Sequence, residues 1–358
     1  MLTSSFYTGK RVLVTGHTGF IGAWLSIWLK SMGAEVVGFA LDPISENGVF
    51  MSSGVGSKIK DVRGDIRNFQ KLNDVFVEYQ PEIVFHLAAQ PLVLESYQTP
   101  MQTMEVNVQG SCNVLEAARL SNSVRVVVMI TTDKCYENRE WVWGYRETDA
   151  MGGHDPYSAS KGAAELIISS YYRSFFKDKM QVGIASVRAG NVIGGGDWCE
   201  NRLVPDIFRS IVINQAVKVR NPQSVRPWQH VLEPLGAYLL LAERMWQDPK
   251  NFSGAWNIGP SNDNHRTVKD LVTEIIKCGG RGNWETDHVI QNLHEANLLS
   301  LDISKAQRML GWSPVLNFSE SVRLTCDWYL SENHVDFWKL ALNQINHYCT
   351  KWNSQPVS

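Results

Sequence analysis

Short apolar runs alternate with helical spacing through the first half of the chain. Five runs predict strands: residues 11–15, 35–40, 83–88, 125–131 and 182–188. Apolar residues with helical spacing lie between several of them, as at 68–79 and 106–120. Apolar strands that alternate with amphipathic helices are typical of a parallel sheet covered on both faces. The pattern predicts an α/β fold with a doubly wound parallel sheet.

The pattern changes beyond Asn191, where a glycine-rich loop at 194–197 opens a region of separate helices and isolated strands. Helical spacing recurs at 233–246, 268–276 and 318–329, and a strand-like run lies at 255–258. We predict a smaller C-terminal substrate-binding lobe beside the sheet. The boundaries that we assign are residues 1–190 and 236–262 for the sheet domain, and 191–235 and 263–358 for the lobe.

Composition and charge narrow the class of protein. The 358 residues are 44% hydrophobic and 20% charged, which is typical of a globular enzyme. A net charge of -2 provides no field that would attract nucleic acid or an anionic membrane, so we expect neither partner. Residues 1–10 lack the features of a signal peptide, and no run reaches the roughly 18 apolar residues of a membrane span, so we expect a cytoplasmic protein. The 6 cysteines are scattered, which predicts reduced thiols and no metal site.

A glycine-punctuated turn lies between the first strand and the first helix. Backbone amides in such a turn can bind a pyrophosphate at the positive end of the helix. A tight turn without a ligand is the alternative, but the position between strand and helix favours a dinucleotide site. The predicted cofactor residues of the turn are Gly16, His17, Thr18, Gly19, Phe20, Ile21 and Gly22.

Asp42 lies 20 positions beyond Gly22, where a carboxylate can hold both hydroxyls of the adenosine ribose. It would repel a 2'-phosphate, and no arginine lies within residues 37–46, so NAD is favoured over NADP. A solvated loop aspartate is the alternative. Asp65 and Ile66 follow a third strand and are predicted to flank the adenine, with a helix N-cap as the alternative for Asp65.

Tyr157 and Lys161 predict a redox centre, since residues four apart share a helix face and an ammonium favours a phenolate. Thr132, Asp133 and Lys134 follow the strand at 125–131. The ends of parallel strands line the ligand crevice, although a polar exit turn is the alternative for this triplet. An acid and a second ionisable group beside a redox pair indicate that a carbon-oxygen bond is broken.

Elimination of water from an oxidised hexose needs such groups. A ketone at C4 acidifies the C5 hydrogen, and the C6 hydroxyl then becomes a leaving group. Asp133 could protonate the C6 oxygen if burial keeps it neutral, and Lys134 could take the C5 proton if its pKa is depressed. Thr132 would bind the C4 oxygen together with Tyr157.

The glycine turn and the Tyr157-Ser-Ala-Ser-Lys161 segment resemble the extended short-chain dehydrogenase/reductase family over nearly the whole chain. The resemblance implies a Rossmann-type NAD-binding domain in which Tyr157 is the base and Lys161 holds the nicotinamide ribose. It also implies a homo-oligomer, a dimer or a tetramer. The further residues that it implies along the cofactor are Leu87, Ala88, Ala89, Gln90 and Asn107.

The triplet at 132–134 resembles that of the sugar-nucleotide 4,6-dehydratases, among which the dTDP-glucose enzymes usually carry Thr-Asp-Glu. The related 4-epimerases lack the acid. Lys134 in place of glutamate is typical of enzymes for CDP-glucose, but also of inverting UDP-N-acetylglucosamine 4,6-dehydratases. Blocks at 131–138, 188–198 and 226–231 resemble the enzymes for CDP-glucose, as does His294-Glu295-Ala296. Conversion of CDP-glucose to CDP-4-dehydro-6-deoxyglucose for a surface polysaccharide is implied. A related dehydratase, a 4-epimerase and a noncatalytic NAD-sensing regulator are the alternatives.

The same resemblance implies how the nucleotide sugar is held. Asn191 and Arg226 would contact the diphosphate, since the planar fork of an arginine can bind two phosphate oxygens. A surface cation is the alternative for Arg226, and a satisfied buried imidazole for His230. The remaining residues implied at the substrate are Gln90, Arg202, Leu203, Val204, Gln229 and His230.

Overall fold

The computed structural model describes residues 4–178, 181–261, 265–287, 298–331 and 334–355. Within them the strands are β1 Arg11–Thr15, β2 Glu35–Ala40, β3 Lys60–Arg63, β4 Ile83–His86, β5 Val126–Ile130, β6 Gly183–Arg188, β7 Val192–Ile193, β8 Val217–Val219, β9 Val225–Pro227, β10 Gln229–His230, β11 Gly254–Asn257, β12 His265–Thr267 and β13 Trp284–Thr286. The helices are α1 Phe20–Ser31, α2 Val49–Ser52, α3 Phe69–Tyr79, α4 Val93–Gln98, α5 Pro100–Met104, α6 Gly110–Leu120, α7 Pro156–Tyr171, α8 Leu203–Val212, α9 Leu232–Gln247, α10 Pro249–Phe252, α11 Val268–Gly279, α12 Phe318–Tyr329 and α13 Phe337–Asn353. One-turn π segments precede α6 and follow α7.

The central sheet of the described residues has seven strands in the order β3-β2-β1-β4-β5-β6-β11. Every neighbouring pair is parallel. The order reverses between β1 and β4, which opens a crevice at the carboxyl ends of these strands. The predicted doubly wound Rossmann-type sheet is therefore confirmed.

Helices cover both faces of this sheet because its inner strands β1, β4 and β5 are apolar and buried along nearly their whole length. On one face, α1 and α9 bury Trp24, Trp28 and Leu235 in a large core. On the other face, α3, α6 and α7 form a second core that includes Leu72 and Leu115. The carboxyl ends of the strands therefore belong to a sheet that is packed against helices on both faces.

Strand boundaries agree closely with the apolar runs. The first two strands match residue for residue, whereas the predicted run 83–88 ends at His86. The chain leaves the sheet there to form the loop that faces the glycine turn. The predicted run at 255–258 corresponds to β11, which pairs with β6 at the edge of the central sheet.

The lobe consists of short strands and amphipathic helices around a third apolar core, to which α8, α11 and α12 contribute. Capping boxes start two of these helices, at Thr267 with Asp270 and at Asn317 with Glu320. Among the described residues, no helix is both long and apolar enough to cross a bilayer.

A buried carboxylate joins the C-terminal helix to the sheet domain. Glu233, at the start of α9, accepts hydrogen bonds from the Val315 and Leu316 amides at 2.8 and 2.6 Å. It also accepts one from the Tyr348 hydroxyl of α13 at 3.0 Å. Burial raises the pKa of Glu233 to about 7, although these donors lower it.

This carboxylate predicts a pH dependence of stability. A group whose pKa is higher in the folded state stabilises the protein fully below its unfolded value and loses that contribution as the pH rises through the folded value. We expect the free energy of unfolding to fall by up to about 3 kcal/mol between pH 4.5 and 7 through this group. Glu233→Gln should flatten this part of the profile in denaturant titrations. The exposed Glu46→Gln variant is the control, and an equal slope in all three proteins would contradict the prediction.

Candidate functional site

The glycine turn brings backbone atoms closer together than any side chain permits. Gly16 has a φ of 74°, and a Cβ added to it would lie 2.7 Å from the Ala88 nitrogen. A Cβ on Gly22 would lie 2.2 Å from the Gly16 oxygen, which shows how tightly α1 is pressed onto the turn. Phe20 and Ile21 are the half-buried first residues of α1, which carries no acidic residue in its first turn. This positive, uncrowded helix end fits a dinucleotide pyrophosphate.

The side chains of His17 and Thr18 hold the glycine turn against the neighbouring strands. His17 is fully buried, and its Nε2 lies 2.8 Å from an Asp61 oxygen on β3. A Cβ on Gly38 of β2 would lie 2.2 Å from the His17 ring, so the ring occupies the space over that glycine. The Thr18 hydroxyl donates to the Leu41 oxygen at 3.0 Å. These side chains support the turn, which leaves its backbone to meet a cofactor.

Asp42 follows β2 with 90% of its side chain exposed. Its carboxylate lies 3.8 Å from Arg63 Nε. No arginine lies near Asp42 in the chain, but the pairing of β2 with β3 brings Arg63 from the end of β3 close to the Asp42 carboxylate. Arg63 also donates to Asp61 at 2.7 Å and to the Leu41 oxygen at 3.1 Å, so its guanidinium is already engaged.

Asp65 and Ile66 lie at the end of the β3 loop. The Asp65 carboxylate pairs with Arg67 at 2.6 Å, and Ile66 is buried against Gly110 of α6. The N-cap of α3 is Asn68, whose side chain accepts from the Lys71 amide, so the alternative of an Asp65 N-cap is wrong. The Asp65 carboxylate binds Arg67 and does not cap α3.

The loop after β4 is held by a buried histidine and a threonine. His86 Nδ1 lies 2.7 Å from the Thr15 hydroxyl, which also accepts from the Leu87 and Ala88 amides at 3.2 and 3.3 Å. Burial, together with the charge of Lys161, lowers the pKa of His86 to about 3. The imidazole is therefore neutral and accepts from Thr15, which fixes the loop that continues into half-buried Ala89.

Gln90 and Asn107 connect this loop to α7. The Gln90 amide donates to Asn107 Oδ1 at 2.9 Å, and Asn107 Nδ2 donates to the Gln90 oxygen at 3.1 Å and the Ser160 hydroxyl at 2.8 Å. Gln90 Nε2 donates to Thr103 at 2.9 Å. Both predicted contact residues thus brace the predicted cofactor loop against the helix of Tyr157.

Helix α7 carries the predicted redox pair. Asp155 caps it by accepting from the Ser158 amide at 2.9 Å. Burial raises the pKa of Tyr157 to about 12, which a hydrogen bond with Thr132 opposes. Burial lowers the pKa of Lys161 to about 8, and its amine donates to the Ile130 oxygen at 3.3 Å. The structure therefore brings the predicted base, its cation and Thr132 together.

Asp133 is 1% exposed and lies beside Thr132, whose hydroxyl donates to Asp133 Oδ1 at 3.0 Å. Burial raises the pKa of Asp133, whereas the charges of Lys134 and Arg226 and the Thr132 bond lower it. The net rise favours a neutral acid, as the elimination hypothesis requires. Lys134 itself is exposed, so the folded chain does not desolvate its amine.

Residues predicted at the substrate approach the same cluster from the lobe. Asn191 has a φ of 51°, and its Nδ2 lies 3.4 Å from Asp133 Oδ2. Arg226 on β9 is close enough for its charge to lower the pKa of Asp133. Arg202 pairs with Asp197 at 3.0 Å, and its charge opposes the rise in the pKa of Tyr157. The charges of Arg202 and Arg226 thus act on Tyr157 and Asp133, respectively.

Other predicted substrate residues make contacts within the protein. Leu203 and Val204 begin α8, Leu203 half-buried and Val204 buried. Gln229 Nε2 donates to the Gly190 oxygen at 3.0 Å, which holds the loop before Asn191. His230 is fully buried, 6.2 Å from the Trp24 ring, and its Nδ1 accepts from the Leu232 amide at 3.4 Å. Its Nε2 has no hydrogen-bond partner among the described residues, so the imidazole is buried but not satisfied. The block at 294–296 lies outside the described residues.

Sequence reasoning missed a buried ion pair behind this cluster. Glu165 Oε2 lies 2.7 Å from Arg188 NH2, and both side chains are 4% exposed. Glu165 also accepts from the Thr131 and Ser186 hydroxyls. The available signal was spacing, because Glu165 lies four residues beyond Lys161 and so falls on the same face of α7.

Comparisons with known proteins agree with this geometry. Residues 13–325 match the family model described as GDP-mannose 4,6 dehydratase. The chain is 48% identical to the CDP-glucose 4,6-dehydratase of Salmonella typhimurium, over 92% of this chain and 93% of that protein. This chain belongs to the GDP-mannose 4,6-dehydratase family. The predicted membership of the extended short-chain dehydrogenases/reductases is confirmed with it.

Solved structures of two relatives share the fold of this family member. The Thermus thermophilus UDP-glucose 4-epimerase in complex with NAD is 25% identical, with a TM-score of 0.76 over 91% of this chain and 100% of that chain. The Bacillus anthracis dTDP-glucose 4,6-dehydratase in complex with NAD is 21% identical, with a TM-score of 0.74 over 93% of this chain and 100% of that chain. One scaffold therefore carries both epimerase and dehydratase chemistry.

The packing of Asp133 predicts that position 190 of this dehydratase-family chain must be glycine. A Cβ on Gly190 would lie 2.0 Å from Asp133 Oδ2. We expect Gly190→Ala to displace the carboxyl and to lower dehydratase turnover by about 100-fold, since small displacements of reacting groups have effects of that order. The control is Gly279→Ala, whose Cβ would meet only ordinary contacts. Unchanged turnover in Gly190→Ala would contradict the packing argument.

Proposed function

We propose that this protein is an NAD-dependent hydro-lyase that converts CDP-glucose to CDP-4-dehydro-6-deoxyglucose and water. The observation that carries the proposal is one buried cluster in which Thr132 contacts both Tyr157 and Asp133, a carboxyl whose pKa is raised by burial. An oxidoreductase or a 4-epimerase needs the tyrosine and lysine but no buried acid. The 48% identity to a CDP-glucose 4,6-dehydratase supports the choice of base and sugar.

Tyr157 removes the proton from the C4 hydroxyl. Burial alone would hold the phenol neutral, since it raises the pKa of Tyr157 to about 12. The hydrogen bond with Thr132 and the charge of the nearby Arg202 favour the phenolate. Lys161 lies four residues along on the same helix face, where an ammonium would act in the same direction. Thr132 donates to the oxygen that develops charge at C4.

NAD, when bound, would supply reversible hydride chemistry: hydride taken from C4 would go back to C6, so the net reaction would be redox-neutral. Gly16, Gly19 and Gly22 would hold its pyrophosphate, Asp42 its adenosine ribose, and Lys161 its nicotinamide ribose. Asp65 and Ile66 would flank its adenine.

Asp133 protonates the departing C6 oxygen. Its burial raises the carboxyl pKa, so the acid form persists to higher pH than in water. Lys134 removes the C5 proton and later returns a proton there. Because Lys134 is exposed, the bound sugar and diphosphate must themselves exclude water from its amine.

The lobe holds the nucleotide diphosphate. Asn191, Arg202 and Arg226 provide an amide and two cations beside the reacting cluster, which is suitable for a diphosphate with two negative charges. Residues 191–235 and 263–358 form this lobe. The protein works in the cytoplasm as a homo-oligomer, a dimer or a tetramer, and its product enters deoxysugar biosynthesis for a surface polysaccharide such as O-antigen.

A panel of nucleotide sugars tests the proposal. Purified protein is incubated with CDP-, dTDP- and UDP-glucose and UDP-N-acetylglucosamine, and products are measured by mass spectrometry. We expect loss of water from CDP-glucose, with preference of about 100-fold or more, since a base-specific hydrogen-bonding site discriminates strongly. With deuterium at C4, the label should appear in the C6 methyl group of the same molecule. Inversion at C4 without loss of mass would instead identify an epimerase.

Asp133→Asn separates elimination from oxidation. The amide keeps the shape of the carboxyl but cannot donate a proton as an acid, so we expect turnover to fall by roughly 100-fold or more. Oxidation at C4 should continue, and absorbance of the reduced cofactor at 340 nm should accumulate with CDP-glucose. Tyr157→Phe is the control that should abolish this absorbance. A variant with full turnover would exclude Asp133 as the acid.

A further inference from the structure

We infer that Glu165 is a positioning residue for the reaction: its carboxylate holds the helix of Tyr157 and Lys161 in register with the strand ends that carry Asp133. The inference rests on the proposed function. Within the described residues Glu165 makes no hydrogen bond to Tyr157 or Asp133, so its effect would pass through the residues that it binds.

Two strand ends meet at this one carboxylate. Glu165 Oε1 accepts from the Thr131 hydroxyl, and Thr131 immediately precedes Thr132 and Asp133. Glu165 Oε2 accepts from the Ser186 hydroxyl at 2.8 Å and from Arg188 NH2 at 2.7 Å, both on β6. Helix α7 is therefore tied to the carboxyl ends of β5 and β6.

Arg188 extends the connection to the other side of the catalytic triplet. Its NH1 donates to the Tyr136 hydroxyl at 2.6 Å and to the Glu147 oxygen at 3.0 Å. Its guanidinium lies 4.9 Å above the Tyr136 ring. Tyr136 follows Cys135, so the segment 132–135 is held at its start through Thr131 and at its end through Tyr136.

The same carboxylate acts on Lys161 through charge. Glu165 lies one turn beyond Lys161 on α7 and raises the pKa that burial lowers. The other ionisable groups near Lys161 are Tyr157 on the same face of α7, Cys135 from the loop after β5 and His86 from the end of β4. Loss of the carboxylate charge should therefore make Lys161 lose its proton at lower pH.

A simple substitution would also break a buried ion pair, which destabilises proteins strongly whether or not catalysis is affected. The test therefore compares Glu165→Gln, Arg188→Gln and the double variant. The double variant leaves no unpaired buried charge, so it should recover much of the thermal stability that the single variants lose. The exposed Asp327→Asn variant, which loses the pair with Arg323, is the control for a lost surface charge.

We expect Glu165→Gln to lower kcat by about tenfold to 100-fold with KM for CDP-glucose within about threefold, because binding residues are untouched. The alkaline limb of the kcat profile should move to lower pH by about one unit. The double variant should regain melting temperature but neither kcat nor the wild-type pH profile. Recovery of all three in the double variant would show that Glu165 is only structural.

A readout without turnover completes the test. The Lys161 side-chain resonance, assigned with Lys161→Arg, is titrated by NMR in the wild type and in Glu165→Gln. A lower titration midpoint in the variant supports the inference, and an equal midpoint with an unchanged kcat overturns it. If the wild type acts on another nucleotide sugar, the proposed substrate fails, and the same variants are then measured with that sugar.

Discussion

The buried carboxylate of Glu165 is the constraint on which the arrangement of the site depends. A charge in the protein interior is tolerated only when donors replace its lost hydration. Here hydroxyls from two strands and one guanidinium do so. Movement of α7 relative to β5 or β6 would remove hydrogen-bond donors from the Glu165 carboxylate. The three segments are therefore fixed together, and the reacting groups are placed before any substrate binds.

Burial has opposite consequences for the two reacting oxygens in this site. Removal from water raises the pKa of Asp133 and of Tyr157 alike. For Asp133 this is useful, because an acid must hold its proton until the C6 oxygen departs. For Tyr157 it is harmful, because a base must lose its proton. At Tyr157 the hydrogen bond with Thr132 and the charge of Arg202 oppose that rise, although the pKa still lies at about 12.

The sequence predicted local features well because they depend on neighbouring residues. Strand periodicity placed β1 and β2 correctly, and the glycine spacing identified the turn onto which α1 is pressed. Contacts that depend on how the strands pair in the sheet could not be predicted from the sequence. Arg63 reaches Asp42 only because β2 and β3 are paired, and Glu165 reaches Arg188 only because α7 crosses β6. Such partners are distant in the chain, and no periodicity connects them.

The exposure of Lys134 could not be foreseen either, because it depends on how a three-residue turn leaves the strand. The elimination hypothesis required a desolvated amine, and the structure exposes it. The acid and the base of the elimination are thus prepared differently. Asp133 is desolvated by the fold, whereas Lys134 can be desolvated only by the substrate. In the proposed reaction, removal of the C5 proton would then depend on the bound nucleotide sugar, which excludes water from the amine.

Epimerase and dehydratase relatives share this scaffold, so a small set of residues must separate their reactions. In the proposed reaction Asp133 supplies the acid, but a carboxyl at that position needs space. Gly190 provides it, since any Cβ there would overlap Asp133 Oδ2. A larger residue at position 190 would displace either the carboxyl or the loop that carries Asn191. In this chain the proposed acid therefore depends on the glycine that faces it.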